Sequence, residues 1–361
     1  MTKDMTRGTP WKLIVQFALP IMAGNLLQQL YNTADTIIVG NFNGQQALSA
    51  VGSCSSLTAL FTALAIGFSI GAGVLVSQYF GANRLEELRR YAASSIVLML
   101  LLGLLMSVIG FCSAELLLAR FLGTPQALLP QATLYFTIYA AGLVFQFGYN
   151  IAAAILRALG DSKATLYFLL VSSVLNVALD LLFVAAFRMG VSGAALATIL
   201  SQAVSAAWVL RFLFSAKSGI RIRRGNMKFE KRVVGKVIGL GIAPFIMQST
   251  ESLVNITLNA GLQRYGGDLY VGSMTIMQSV MQMLVMPIQG ITQGAQPIMS
   301  YNYGAKNYSR VRKTFSLLLK VMLLVTVSGF ALAALLPGVL ARMFTQDAEL
   351  IEIVKKMMPI F

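Results

Sequence analysis

Long apolar runs without a charge constrain this chain more than any other feature. Three of them, residues 91–114, 189–210 and 321–341, reach the roughly 20 residues that a helix needs to cross a bilayer. Only 11% of the residues are charged, and the mean hydropathy of +0.73 lies outside the range of soluble domains. The runs lack the alternation of polar and apolar residues that a spanning barrel requires. The sequence therefore predicts an all-α integral membrane protein.

Hydropathy places nine spans in the chain and the start of a tenth. The predicted spans are residues 13–39, 47–79, 91–113, 128–155, 164–187, 190–213, 237–263, 269–303 and 314–337, and a tenth begins near Leu350. Of the Lys and Arg residues, 22 fall on the side of the N-terminus and 6 on the other. Because basic loops stay in the cytoplasm, we predict a multi-pass protein of the plasma or inner membrane with a cytoplasmic N-terminus.

The net charge of +15 comes from the Lys and Arg residues in these loops, which orient a membrane protein, so it does not indicate nucleic-acid binding. The chain has no histidine, and its two cysteines, Cys54 and Cys112, fall in different predicted spans. We therefore expect no nucleic-acid partner, no transition-metal site and no cofactor.

An internal repeat divides the chain into two halves. Six residues, Gly67, Gly71, Ala72, Ser77, Gly81 and Ala82, recur at a constant offset of 223 as Gly290, Gly294, Ala295, Ser300, Gly304 and Ala305. Since six predicted spans separate the copies, the repeat is parallel, with its axis along the membrane normal. We expect two six-helix lobes around a central cleft.

The N-terminal lobe is predicted at residues 1–214 and the C-terminal lobe at 237–361. Between them, residues 215–236 form a basic linker that we expect to lie as an amphipathic segment on the inner leaflet. Twelve spans are implied, so we expect the last spans of the second lobe to be missing from this chain.

Polar residues in the first span form a single stripe. They are spaced at steps of three, four and three, as Asn25, Gln28, Asn32 and Asp35. A carboxylate at membrane depth costs at least about 2.5 kcal/mol, and such residues usually mark an ion or substrate pathway. Asp35 is therefore the first candidate functional residue.

A second acid lies in the fifth span, where Asn176 and Asp180 are one helical turn apart. If the first, fifth and sixth spans meet, four residues can surround a small cation with oxygen ligands: Asp35, Asn176, Asp180 and Thr198. Two carboxylates in a poorly hydrated site cannot both ionise cheaply, so a proton or Na⁺ should bind between them. Hydrogen bonding between helices is the alternative, and we favour it for Asn176 and Thr198 taken alone.

Three segments resemble the multidrug and toxic compound extrusion (MATE) family in their order and spacing. They are Ala18-Leu-Pro-Ile with Asp35-Thr-Ile-Ile-Val-Gly40, Gly71 with Ser77-Gln-Tyr-Phe-Gly81-Ala82, and Leu156-Arg-Ala-Leu-Gly160-Asp161-Ser-Lys163. The resemblance implies a Na⁺- or H⁺-coupled antiporter that exports amphipathic or cationic small molecules by alternating access between two lobes. It also implies that the four oxygen-bearing residues are the cation site of the N-terminal lobe. We expect a monomer in membrane lipid.

The second lobe alters the polar stripe. At the offset of 223, Gln28 becomes Glu251, Asn32 becomes Asn255 and Asp35 becomes Leu258. The two lobes therefore cannot hold identical ion sites, and Glu251 with Asn255 is a secondary candidate. The alternatives are a buried, protonated glutamate, or one paired with a group in the missing spans.

Further residues are candidates for the substrate cleft or for a hinge. The cleft candidates are Gln28, Asn32, Tyr139 (on a stripe with Tyr135 and Gln146), Gln278, Met281 and Gln282. Methionine suits surfaces that accept many ligands, although simple packing is its commoner role, and aromatic rings can stack on cations. Pro20 removes a backbone hydrogen bond in the first span and is a candidate hinge; a merely tolerated proline is the alternative.

The loop at residues 157–163 has the pattern of a capped turn between two helices. Gly160 and Asp161 are typical of such a turn, and a catalytic role is less consistent with the pattern. We expect it to fix or gate the cytoplasmic face.

Two other functions are weighed against transport by an antiporter. A flippase for lipid-linked sugars shares this kind of fold, but it should carry Arg or Lys inside the cleft to bind phosphates, and the predicted spans hold almost none away from their ends. An intramembrane aspartyl protease also needs two acids, but Asp180 lies between two leucines, without the glycine-rich motif expected there, and the repeat is left unexplained.

Overall fold

The computed structural model of the chain describes residues 4–215, 218–222, 224–345 and 347–360. Several side chains within residues 255–271, among them that of the candidate Asn255, lie outside this description. Within it the chain forms helices and loops, with no strand. The α-helices are α1 (Pro10–Gly81), α2 (Leu85–Leu116), α3 (Leu129–Ala141), α4 (Leu143–Ala158), α5 (Ser162–Asp180), α6 (Val191–Phe214), α7 (Lys231–Gly304), α8 (Tyr308–Leu335), α9 (Pro337–Arg342) and α10 (Ala348–Met357).

Helix α1 contains both the first and the second predicted span. Its 72 residues would extend about 108 Å as a straight helix, more than three times the roughly 30 Å hydrocarbon core. The helix is interrupted at Gly44, whose φ of 79° and ψ of −179° belong to a region that is essentially restricted to glycine. A single glycine thus replaces the loop that the sequence predicts at residues 40–46.

Helix α7, with 74 residues, also folds back on itself. Gly241 near its start and Tyr301 near its end both lie against α1, at Gly67 and Gly81 respectively. By length and composition, six helices in the described part can each span a membrane, and α3 with α4, bent by 47°, adds a seventh as a broken span. The exact number of nine spans stays a prediction.

Contacts between α1 and α7 reproduce the sequence repeat in space. Glycines of α1 lie against the start of α7, as Gly67 against Phe245 and Gly71 against Gly241. The roles are exchanged in the second contact, with Gly290 of α7 against Met22 and Gly294 against Ala18. Equivalent residues of the two contacts are separated by 223 positions. The two lobes therefore pack through matching small-residue surfaces, which allow close backbone approach.

The loops that the sequence predicts on the N-terminal side meet at one end of the molecule. Here Asn302 Nδ2 donates a hydrogen bond to the Met5 carbonyl at 3.0 Å, and Lys236 Nζ donates to the Tyr91 hydroxyl at 3.2 Å. Gly81 at the end of α1 lies against Tyr301 of α7. We call this end the basic end; it comprises residues 4–9, 82–84, 159–161, 218–230 (except residue 223) and 305–307.

The described part of the linker packs onto the first lobe, and its contact with the inner leaflet stays a prediction. Arg89 Nε of α2 donates to the Ile220 carbonyl at 2.7 Å, and Ser94 Oγ donates to the Lys228 carbonyl at 2.6 Å. Ile220 is 1% exposed and belongs to the hydrophobic core of the first lobe. Burial of its side chain thus fixes the path of the linker.

Candidate cation-binding site

Two carboxyl groups from different helices face one another inside the first lobe. Asp35 is half-buried on α1, and Asp180 is completely buried as the last residue of α5. The chain continues from Asp180 into a π-helical turn, Leu181–Ala186, and turns of this kind occur often at functional sites. The two carboxyl groups are close enough to interact electrostatically, so the first and fifth spans do meet here, which is the condition that the sequence-based site requires.

The oxygens of this pair lack partners of good hydrogen-bond geometry in the described part of the chain. This holds for Oδ1 of Asp35, for both carboxylate oxygens of Asp180, and for the amide oxygen and nitrogen of Asn176. Asn176 lies one turn before Asp180 on α5 and is 2% exposed. Leaving one buried polar group unsatisfied costs about 1–3 kcal/mol, and more when it is charged. The cluster therefore favours an additional occupant, a proton or a cation, that satisfies these oxygens.

Tyrosines from α1 and α3 surround the pair. Tyr135 is 7% exposed and lies near both Asp35 and Asp180, while Tyr31 lies near Asp35. The rings of Tyr135 and Tyr139 stack with centroids 6.3 Å apart. Tyrosine carries no charge at neutral pH, so this shell supplies dipoles without compensating the two carboxylates.

A hydrogen-bonded chain continues from these tyrosines across the first lobe. The Tyr139 hydroxyl donates to Gln146 Oε1 at 3.1 Å, and Gln146 Nε2 donates to the Thr62 hydroxyl at 2.8 Å. The sequence indicates Tyr139 and Gln146 through their common helical stripe, but it gives no signal for Thr62. Tyr139 is only 8% exposed, so in this conformation it belongs to the interior of the lobe rather than to an open cleft.

A family model described as MatE matches residues 20–182 and 244–361, which make up most of the chain. This chain belongs to the MATE family of multidrug efflux transporters. The Bacillus subtilis protein named "Probable multidrug resistance protein YpnP" is 31% identical over 308 residues, which are 85% of this chain and 68% of that protein. "Multidrug export protein MepA" of Staphylococcus aureus is 23% identical over 342 residues, 95% of this chain and 75% of that protein.

Solved MATE structures share the fold. One is described as the outward-facing conformation of a multidrug resistance MATE family transporter of the MOP superfamily. It aligns with a TM-score of 0.88 at 25% identity, over 99% of this chain and 80% of that one. The all-helical, MATE-like architecture predicted from the sequence is thereby confirmed, and the lobe bounds at 1–214 and 237–361 stay a prediction.

Thr198 is the fourth predicted member of the site in this MATE chain, and its hydroxyl donates a hydrogen bond within its own helix. Thr198 Oγ1 donates to the Ala194 carbonyl of α6 at 3.1 Å. Its oxygen keeps acceptor capacity, because a hydroxyl has lone pairs in addition to its donor. The structure therefore joins Asp35 and Asp180 directly, with Asn176 one turn away, and gives Thr198 a role in its own helix.

The second-lobe candidates are arranged differently from the first-lobe pair. Glu251 is exposed on α7 within the described part of the chain, and its role stays a prediction. Leu258, which stands at the position equivalent to Asp35, is 42% exposed. The side chain of Asn255 lies outside the described residues, so its role stays a prediction.

The candidate cleft residues of the MATE chain differ in how exposed their side chains are. Gln28, Asn32 and Gln282 are exposed, Met281 is 47% exposed, and Gln278 is half-buried. Other methionines of the same segment, Met274 and Met277, are 3% and 1% exposed and pack in the core of the second lobe. Methionine thus contributes both packing and an exposed surface here.

The predicted hinge at Pro20 and the predicted turn at residues 157–163 have different outcomes. At Pro20, α1 keeps helical backbone angles, and the non-helical residue of this helix is Gly44; a hinge at Pro20 stays a prediction. The capped turn at residues 157–163 is confirmed. Gly160 has a φ of 91°, and Asp161 Oδ1 accepts a hydrogen bond at 3.0 Å from the backbone N–H of Ala164 in α5.

Proposed function

We propose that this protein is a secondary antiporter that exports amphipathic or cationic small molecules in exchange for Na⁺ or H⁺. The observation that carries the proposal is the Asp35–Asp180 pair, in which Oδ1 of Asp35 and both oxygens of Asp180 lack good partners among the described residues. Oxygen atoms are the ligands that hard cations prefer, and a carboxylate pair equally accepts a proton. No covalent chemistry is required of the protein, which acts by binding and conformational change.

Electrostatic repulsion gives the pair a means of coupling. Two unit charges about 5 Å apart repel by about 3 kcal/mol at an effective dielectric constant near 20. Binding of a proton or Na⁺ removes this repulsion and favours closer packing of α1 and α5. A difference of that size is enough to shift a two-state equilibrium by about a hundredfold.

The arrangement of the lobes supports alternating access. Helices α1 and α7 are in contact beside the basic end at Gly81 and Gly304, and further along the helices at Gly71 and Gly294. These contacts support a passage that is closed on this side. The excess of Lys and Arg in these loops supports a cytoplasmic position for the basic end, in a protein of the plasma or inner membrane. We therefore assign this conformation to the outward-facing state, in agreement with its likeness to an outward-facing MATE structure. In this scheme the protein works as a monomer.

The test is efflux of a fluorescent organic cation from proteoliposomes, driven separately by an imposed Na⁺ gradient and an imposed pH gradient. Asp35→Asn and Asp180→Asn should each abolish the efflux that the effective gradient drives, because an amide cannot alternate between charged and neutral forms. Asp347→Asn is the matched control, since Asp347 caps α10 at the surface and asparagine caps helices equally well. Wild-type efflux rates in either site variant would refute the assignment of Asp35 and Asp180 to ion coupling.

A further inference from the structure

A small cavity lies between the two lobes near the basic end, outside the carboxylate site. Its walls include Ser69 of α1, Arg157 of α4, and Gln293 and Gln296 of α7. The cavity has a volume of about 20 Å³. A space of about 10–15 Å³ already holds one water-sized occupant. The cavity is thus large enough for a single small ion.

Several of the side chains that line the cavity carry hydrogen-bond donors. Ser69 is 1% exposed, and its hydroxyl has no partner in the described part of the chain. The Arg157 guanidinium carries five N–H donors, and each of the two glutamine amides can turn two N–H donors toward the cavity. No carboxylate lies among the described residues that line it.

The positive charge of Arg157 is not balanced by a neighbour. No ion pair involving Arg157 occurs within the described residues. A nearby titratable side chain, Tyr149, is uncharged at neutral pH. An uncompensated charge inside a membrane protein is costly, and the cost falls when a counter-ion binds.

We propose that this cavity binds a small monovalent anion, with chloride as its physiological occupant. Arg157 supplies the charge, the Ser69 hydroxyl and the two glutamine amides supply further donors, and the small volume excludes large organic anions. The sequence singles out Arg157 in a loop motif expected to gate the cytoplasmic face, and the proposal gives that motif a ligand.

Binding across the lobes makes the anion specific for one conformation. Ser69 and Arg157 belong to the first lobe and the two glutamines to the second, so separating the lobes at the basic end dismantles the site. At ten times its dissociation constant, an anion that binds one state alone favours that state about elevenfold. This consequence rests on the proposed alternating access, whereas anion binding itself does not.

The direct test is the excess line width of the chloride NMR signal with purified protein in nanodiscs, titrated against gluconate at constant Na⁺. We expect saturable broadening with wild-type protein, and about tenfold weaker affinity in Ser69→Ala because a hydrogen bond to a charged ligand is lost. Arg157→Gln should abolish the broadening. Ser95→Ala is the matched control: Ser95 is also 1% exposed and its hydroxyl is also without a partner in the described part, but it lies on α2 outside the cavity.

Absence of saturable broadening in wild-type protein would overturn the proposal, and so would equal affinities in the two serine variants. The serine comparison remains decisive if Arg157→Gln does not fold. Asp35→Asn should keep full chloride binding, because Asp35 does not line the cavity. Wild-type driven efflux in Asp35→Asn with retained chloride binding would be a failure of the proposed function alone. Loss of driven efflux in Asp35→Asn, with no saturable chloride broadening in wild-type protein, would be a failure of this inference alone.

Discussion

At the scale of single residues, the site depends on how α5 ends. Asp180 is the last residue before a π-helical turn and is completely buried, while Asn176 one turn earlier is 2% exposed. Neither side chain has a good hydrogen-bond partner within the described residues. Such a cluster is destabilising unless it is occupied, so its polar atoms are better explained by ligand binding than by stability.

Asn176→Ala should weaken coupling by removing an uncharged oxygen ligand. We expect the concentration of the coupling cation at half-maximal efflux to rise about tenfold, in line with the loss of one interaction with a charged group. Efflux measured against a titration of that cation checks this. Ser173→Ala is the control, because Ser173 is buried on the same helix and its hydroxyl bonds to the Leu169 carbonyl at 2.9 Å. A parallel shift in both variants would point to general damage of α5.

Glu251→Gln should have a milder effect than either aspartate variant. Glu251 is exposed on α7 and does not belong to the Asp35–Asp180 pair, so we expect its carboxylate to act on cationic substrates rather than on the coupling ion. We expect lower efflux of cationic substrates relative to neutral ones, with ion dependence retained. Efflux of one cationic and one neutral fluorescent compound under the same gradient measures this ratio. Complete loss of ion dependence in this variant alone would move the coupling site to the second lobe.

At the scale of the helices, glycine determines how closely α1 and α7 approach. A Cβ atom added to Gly71 would lie 2.5 Å from the Val237 carbonyl oxygen and 2.7 Å from the Gly241 nitrogen. Both are backbone atoms, so they cannot move aside as a flexible side chain can. The repeated glycines of the sequence are therefore a requirement of contact between lobes.

Gly71→Ala should destabilise the closed basic end, although alanine is the better helix former by about 1 kcal/mol. Overpacking of this kind costs about 1–3 kcal/mol, so we expect a lower melting temperature in detergent and slower efflux. In the control variant Gly239→Ala the new Cβ meets nothing within 4 Å. The melting temperature of this control should be unchanged or higher. Equal melting temperatures for the two variants would contradict the packing argument.

At the scale of the whole molecule, the first helix of each lobe packs, near its start, against the other lobe. Ile14 of α1 packs in a cluster with Ile298 of α7 and Leu318 of α8. Val237 of α7, which is equivalent to Ile14 at the offset of 223, joins the core of the first lobe. A change of packing around Asp35 can thus reach the opposite lobe through α1 itself.

Labelling of single cysteines along residues 26–38 should therefore depend on the coupling ion. In a Cys54→Ser, Cys112→Ser background, labelling rates at these positions should change with Na⁺ concentration or with pH. Adding Asp35→Asn should remove the dependence, because that variant lacks the charge to neutralise. Leu13 and Phe17, which are 5% and 2% exposed in the first turns of α1, serve as reference positions of slow labelling. Flat rates in active protein under both titrations would refute coupling through this helix.

The sequence by itself determined the features that depend on local composition and on repeated patterns along the chain. Hydropathy, the distribution of Lys and Arg and the repeat at an offset of 223 predict a helical, two-lobed membrane protein, because each depends on local composition. Tertiary structure alone decided what depends on distant residues meeting. Asp35 and Asp180 interact because α1 and α5 pack together, Gly44 replaces a predicted loop, and the linker follows α2 because Ile220 is buried there. Such contacts join residues far apart in the chain, and no local pattern encodes them.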